Sequence, residues 1–148
     1  MRAVFDAAIL IRAHHKAPGP ARAARRRIVS GAHRLILSPY ILEETERVLG
    51  YPRVNAIAGL DPTEIKKYIR YLETVAEIID PEVTEPVILK DPNDDAVLYT
   101  AVTGKANVLC TLDRHFYDPA VLEFCRMRDI RVMSDVELLV LLKRGESQ

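Results

Sequence analysis

Short apolar runs of strand length alternate along the chain with stretches whose apolar residues recur every three to four positions. The runs are Ala3-Val4-Phe5, Leu35-Ile36-Leu37, Asn107 to Cys110 and Ile130 to Met133, with one more at either Val75 to Ile79 or Val87 to Leu89. Helix starts stand between them at Ser38-Pro39, Asp61-Pro62-Thr63-Glu64, Asp91-Pro92-Asn93-Asp94 and Ser134-Asp135-Val136-Glu137. Each joins a capping side chain to a first-turn proline, an acid at the third helical position, or both. Gly104 stands where a cap would close the helix opened near Pro92. Strands separated by helices pair in parallel through right-handed crossovers, so the pattern predicts an α/β fold: a three-layer α/β/α sandwich around a mostly parallel sheet of about five strands. The ligand crevice of such a sheet lies beyond the carboxyl ends of its strands, where the strand order reverses.

Composition narrows this picture. The chain has 148 residues, 49% of them hydrophobic, enough for one core and too few for two. Residues 1–148 are therefore read as a single domain, with 144–148 as a disordered tail. No apolar run approaches the roughly 18 residues of a membrane span, and the first residues show neither an apolar leader nor a cleavage site, which predicts a soluble, cytoplasmic protein with no membrane partner. Cys110 and Cys125 lack the number and spacing of a disulfide framework or a zinc site and read as small buried thiols. With 21 basic and 21 acidic residues the net charge is zero, which removes the broad positive field common among nucleic-acid binders and makes any such contact local. Arg22, Arg25 and Arg26 are spaced to share one helical face; phosphate contact and an ordinary solvated face explain that pattern equally well.

The acids carry the candidate chemistry. Asp6 directly follows Ala3-Val4-Phe5, and Asp113 follows Val108 to Leu112, so both stand at strand ends and face one crevice. In the helix after Ser38, Ile41, Leu42, Thr45, Val48 and Leu49 form an apolar arc with Glu44 at its border, whereas Glu43 points away and is placed to pair with Arg47. Among Asp91, Asp94 and Asp95, the first reads as the cap and the second as the acid that complements the helix dipole, which leaves Asp95 without a capping task on the face of Leu98, Tyr99 and Val102. Asp94 also borders apolar neighbours. Converging carboxylates that stay ionised need a positive charge among them, and oxygen ligands select hard cations, so Mg²⁺ or Mn²⁺ is the expected cofactor.

These segments resemble the PIN-domain family of nucleases, in particular its VapC-like members and related prokaryotic proteins of similar size. They are V-F-D-A-A-I-L-I-R-A at Val4 to Ala13, L-S-P-Y-I-L-E-E-T-E-R-V-L at Leu37 to Leu49, D-P-N-D-D-A-V-L-Y-T-A at Asp91 to Ala101 and V-L-C-T-L-D-R-H-F at Val108 to Phe116. The resemblance implies a flavodoxin-like fold whose acids Asp6, Glu44, Asp95 and Asp113 hold one or two divalent cations, with Thr111 as a supporting hydroxyl. It further implies a metal-dependent ribonuclease acting on an RNA substrate, the toxin of a toxin-antitoxin pair, restrained by a small antitoxin and working as a homodimer. Arg114 joins Arg22, Arg25 and Arg26 as candidate RNA contacts. One position departs from the family: two residues after its first Asp it usually has Asn or Ser, where this chain has Ala8. Losing a side chain that supports the metal ligands typically costs about 10- to 100-fold in affinity or activity, so a weakened or inactive RNA-binding or protein-interaction module is the alternative. Two phosphoryl-transfer folds also gather acids at strand ends. Ser134-Asp135 after the last strand and Asp6-Ala7-Ala8 after the first match neither.

Overall fold

The computed structural model describes residues 1–88, 91 and 93–146. Its sheet contains β1 (Arg2–Phe5), β2 (Arg34–Leu37), β3 (Glu77–Ile78), β4 (Val108–Cys110) and β5 (Arg131–Met133) in the spatial order β3-β2-β1-β4-β5. Every pairing is parallel, with Val4 of the central strand opposite Ile36 on one side and Leu109 on the other. The chain lays down β1, β2 and β3 in one direction and then returns to the far side of β1 for β4 and β5. The strand order therefore reverses between β1 and β4.

Eight α-helices are described: α1 (Ala7–Arg12), α2 (Pro20–Ser30), α3 (Pro39–Leu49), α4 (Pro52–Ala58), α5 (Pro62–Val75), α6 (Asp94–Thr103), α7 (Pro119–Arg126) and α8 (Asp135–Glu146), with a 3-10 turn at Arg114–Tyr117. Right-handed crossovers place the helices of the outward run on one face and the return crossovers α6 and α7 on the other, and α8, after β5, comes back to the first face. Contacts agree: α1 packs on α2 and α3, α3 on α5 and α8 on α2, whereas α6 lies over β1, β2 and β4, and α7 over β5. With helices on both sides, the central strand is buried throughout Ala3, Val4 and Phe5, which is why the strand runs are apolar rather than alternating.

Local signals account for most element boundaries. Ser38 Oγ accepts the Ile41 amide, Asp61 and Glu64 form a reciprocal capping box, and Ser134 and Glu137 form another. Gly104 closes α6 through its amide to Thr100 O at 2.9 Å. Its φ of −78° is open to any residue. What requires glycine is the close approach of helix to sheet, because a Cβ there would lie 2.7 Å from Ile36 Cγ2 and 2.8 Å from Thr100 O.

Three boundaries differ from the sequence reading. The third strand is Glu77–Ile78, extended by the Ile79 amide on Leu37 O at 2.8 Å. Of the alternative run, Val87 and Ile88 instead donate their amides to a side chain of α6, and Leu89 lies outside the described residues. Helix α6 begins at Asp94, three residues beyond Asp91, whose carboxylate accepts the Asn93 amide in a turn ahead of the helix; Pro92 lies outside the described residues. The last helix continues through Glu146 into the stretch read as a tail, and residues 147 and 148 lie outside the description. No helix among the described residues is long and apolar enough to cross a membrane.

Candidate active site

The crevice forms where β1 and β4 end side by side. Asp6 follows β1 with extended backbone and caps α1, its Oδ1 accepting the Ile9 amide at 2.9 Å. Its other oxygen accepts a hydrogen bond from Thr111 Oγ1. Thr111 is fully buried just past β4, and the same hydroxyl accepts the Asp113 amide at 3.1 Å. One threonine thus ties the strand-end acids together across the reversal point. Asp113 in turn caps the 3-10 turn through the His115 amide at 2.9 Å, and Tyr117 Oη donates back to Thr111 O at 2.7 Å.

Electrostatics show that more acids face this point. Burial pushes the Asp6 carboxyl up to about 6, against the lowering effect of the Thr111 and Ile9 bonds, and the Asp113 and Glu44 carboxylates raise it further. Glu44, half-buried on α3, is likewise raised, first by burial and then by Asp91 and Asp113, with Arg47 opposing. Glu43 is exposed. Tyr40, one turn before Glu44, has its hydroxyl ionisation pushed up by burial and then by Glu44, Asp94 and Asp91.

Helix α6 offers Asp94, not Asp95, to the crevice. Asp94 Oδ2 stands 3.0 Å from His115 Nδ1, which lies 3.6 Å from Asp113 Oδ1. Burial raises the Asp94 carboxyl, His115 opposes that, and Asp113 and Asp91 add to it. His115 is raised chiefly by its bond to Asp94. The carboxylate of Asp95 is 3% exposed and accepts the amides of Ile88 at 3.0 Å and Val87 at 3.1 Å, which fastens the segment before α6 onto the helix. Asp95 is buried, as its helical face predicts, but its partners are the Val87 and Ile88 amides. The cause is the helix start: an α6 opening near Pro92 makes Asp94 the dipole acid, whereas one opening at Asp94 leaves that side chain to the crevice. His115 and Asp91 carried no signal of their own, because their closeness to Asp94 depends on tertiary packing.

Asp91, Asp94 and His115 present ligand atoms all within 4.8 Å of one another, a spacing one cation can bridge. The donors are carboxylate oxygens and one imidazole, which fits a divalent cation on the hard side of the series. The model of the PIN domain matches residues 2–115, which run from β1 into the 3-10 turn and include every acid of the crevice. The chain belongs to the PIN-domain family. PIN domains are generally nucleases that use divalent metal, and the acidic crevice of this PIN domain fits that class of chemistry. No curated protein matches the chain.

The candidate RNA contacts divide. Arg114 is exposed beside Asp113. In this PIN domain Arg25 is a packing residue, 2% exposed, with Nε donating to Ala13 O at 2.9 Å and Nη1 to the Tyr71 hydroxyl. Arg26 is exposed and Arg22 half-buried, and both line the same cleft as Arg25.

Proposed function

We propose that this PIN domain is a Mg²⁺- or Mn²⁺-dependent ribonuclease that hydrolyses phosphodiester bonds of single-stranded or looped RNA in the cytoplasm, and that it serves as the toxin of a toxin-antitoxin pair. The observation that carries this reading is the mutual electrostatic influence of Asp6, Glu44, Asp94 and Asp113 at the β1–β4 reversal point. A divalent cation bound there supplies Lewis-acid polarisation of the scissile phosphate and acidifies water. Asp94, with Asp91 and His115 spaced to share one cation, would hold it together with Asp6 and Asp113, and Glu44 would orient or deprotonate a water. Thr111 fixes Asp6 and the Asp113 backbone and so acts by positioning. Arg114, exposed beside Asp113, is placed to meet the RNA backbone. Unpaired RNA suits an open crevice because its backbone can be drawn in with the bases splayed outward.

One observation favours a second reading, a binding module without turnover: Ala8, exposed on the first turn of α1, offers no polar side chain beside Asp6. Cleavage of a mixed single-stranded RNA in Mn²⁺, Mg²⁺ or chelator separates the two. Cleavage is expected only with metal, lost in Asp94→Asn and Asp113→Asn and retained in Glu43→Gln. If neither the parent nor Ala8→Asn cleaves, the binding module replaces the nuclease. For the toxin role, expression of the parent should arrest growth and expression of Asp113→Asn should not.

A further inference from the structure

Away from the acids, the cleft between α2 and α5 gathers His15, Arg22, Arg25, Arg26, Ser30 and Tyr71 around about 310 Å³. In a chain of zero net charge this cleft holds three guanidiniums and no carboxylate among its described lining, and none of the three makes an ion pair among the described residues. Arg25 is already fixed in place, its guanidinium held by Ala13 O and the Tyr71 hydroxyl and lying 5.1 Å from the centre of the Tyr71 ring. Arg22 Nε is sealed from solvent and has no hydrogen-bond partner among the described residues. A half-buried guanidinium with an unpartnered Nε–H and no counter-charge favours an anion beside it, and preset guanidiniums match the oxygens of a tetrahedral oxyanion.

We infer that the α2–α5 cleft is a phosphate-binding site, separate from the acidic crevice, in which Arg22 and Arg26 close on a phosphate group over a floor of Arg25 and Tyr71. The surroundings agree. His15, which meets the Tyr71 ring edge-on with centroids 4.8 Å apart, is held in its neutral form by burial and then by Arg25 and Arg22, as a site lacking its counter-charge would do. Two sources present the same chemistry, a free or terminal phosphate and the diester backbone of RNA. The inference does not depend on cleavage at the acids.

The full chain is titrated in chelator, so that the acidic crevice holds no cation, first with inorganic phosphate and then with a short single-stranded RNA lacking terminal phosphates. The Arg22 Nε–H and His15 ring resonances are followed. Saturable shifts with phosphate are expected, with affinity about tenfold weaker in Arg22→Gln, the loss of one charge-assisted hydrogen bond. Arg26→Gln, at an exposed position that leaves packing intact, should weaken it as well. If the RNA moves the same resonances and phosphate displaces it, the occupant is backbone phosphate; if only inorganic phosphate moves them, it is a free or terminal phosphate. The inference fails if neither ligand produces saturable shifts, or if both variants bind like the parent.

Discussion

Two adjacent aspartates on α6 have different surroundings, Asp94 beside His115 in the acidic crevice and Asp95 on the backbone amides of the preceding segment, and single substitutions should separate their roles. Asp95→Asn exchanges a charged acceptor of two backbone amides for a weaker, neutral one, so it should lower stability by about 1–3 kcal/mol with or without metal. Asp94→Asn should instead abolish metal-dependent cleavage while leaving the chelated protein at least as stable as the parent, because it removes one of several mutually repelling acids. Thermal melts of both variants in chelator decide; equal melting points would remove the distinction. The site was legible in the sequence wherever a residue's place follows from its own element. Asp6 and Asp113 stand at strand ends, and Glu44 follows from the apolar arc of one helix. The choice between Asp94 and Asp95 turns on where α6 starts, a competition among neighbouring caps that a single sequence leaves balanced. His115 could not be found locally, since its partner lies 21 positions away.

The same residues set a pH dependence. A carboxyl raised to about 6 binds its proton more tightly in the folded chain than in the unfolded one, so Asp6 disfavours folding at neutral pH and ceases to do so as pH falls through about 6 toward its ordinary value of 3.8. The effect is on the order of 2–3 kcal/mol. Glu44 and Asp94 are raised in the same direction, and the raised His115 adds stability at low pH that is lost as pH climbs through its folded value. The depressed acids Glu64, Glu77 and Glu123 act below their ordinary 4.5 and leave this window alone, whereas His14, His15 and His33, lowered chiefly by burial, oppose the acids as they protonate. The contribution of the acid is therefore read by difference: in chelator the melting temperature of the parent should rise relative to that of Asp6→Asn from pH 7.5 to pH 5.5. A difference that stays constant over that interval would contradict the burial and crowding of Asp6.

At the scale of elements, α6 presses against the sheet at Gly104 without any space for a methyl group. Gly104→Ala should cost about 1–3 kcal/mol by overpacking against Ile36 and the Thr100 carbonyl, read as a lower denaturant midpoint at unchanged slope. An unchanged midpoint would mean that helix and strand can part at little cost. The caps of α3, α5 and α8 were readable because each is a contact between residues three apart. Strand β3 was ambiguous because two residues carry little pattern, and its place beside β2 is settled by the Ile79 amide on Leu37 O rather than by composition.

For the molecule as a whole, the exposed aromatic and aliphatic surface bears on the homodimer that the family resemblance implies. Tyr68 is buried with its hydroxyl on Leu10 O at 2.6 Å and so is not free to form an interface, and half-buried Tyr71 stacks beside it. Tyr51 and Ile57, 47% and 91% exposed around α4, remain on the surface. If the homodimer implied by the family resemblance forms, that helix is the place to look: light scattering should give twice the monomer mass for the parent and a shift toward monomer for Ile57→Lys. A parent that stays monomeric at high concentration would end the dimer expectation.

The reversal between β1 and β4 also sets an order of events during synthesis. Phe5 pairs with Cys110, and Asp6 meets Thr111 across 105 positions of chain, so the crevice cannot close until most of the polypeptide has been made. Until then β1 has a neighbour only on its β2 side, and its other side is an open, apolar strand edge able to pair with any extended segment nearby. A truncated or slowly translated chain therefore carries no assembled acid cluster but does carry a sticky edge. Its hazard to the cell is aggregation, and any hazard from cleavage arrives only with the last third of the protein.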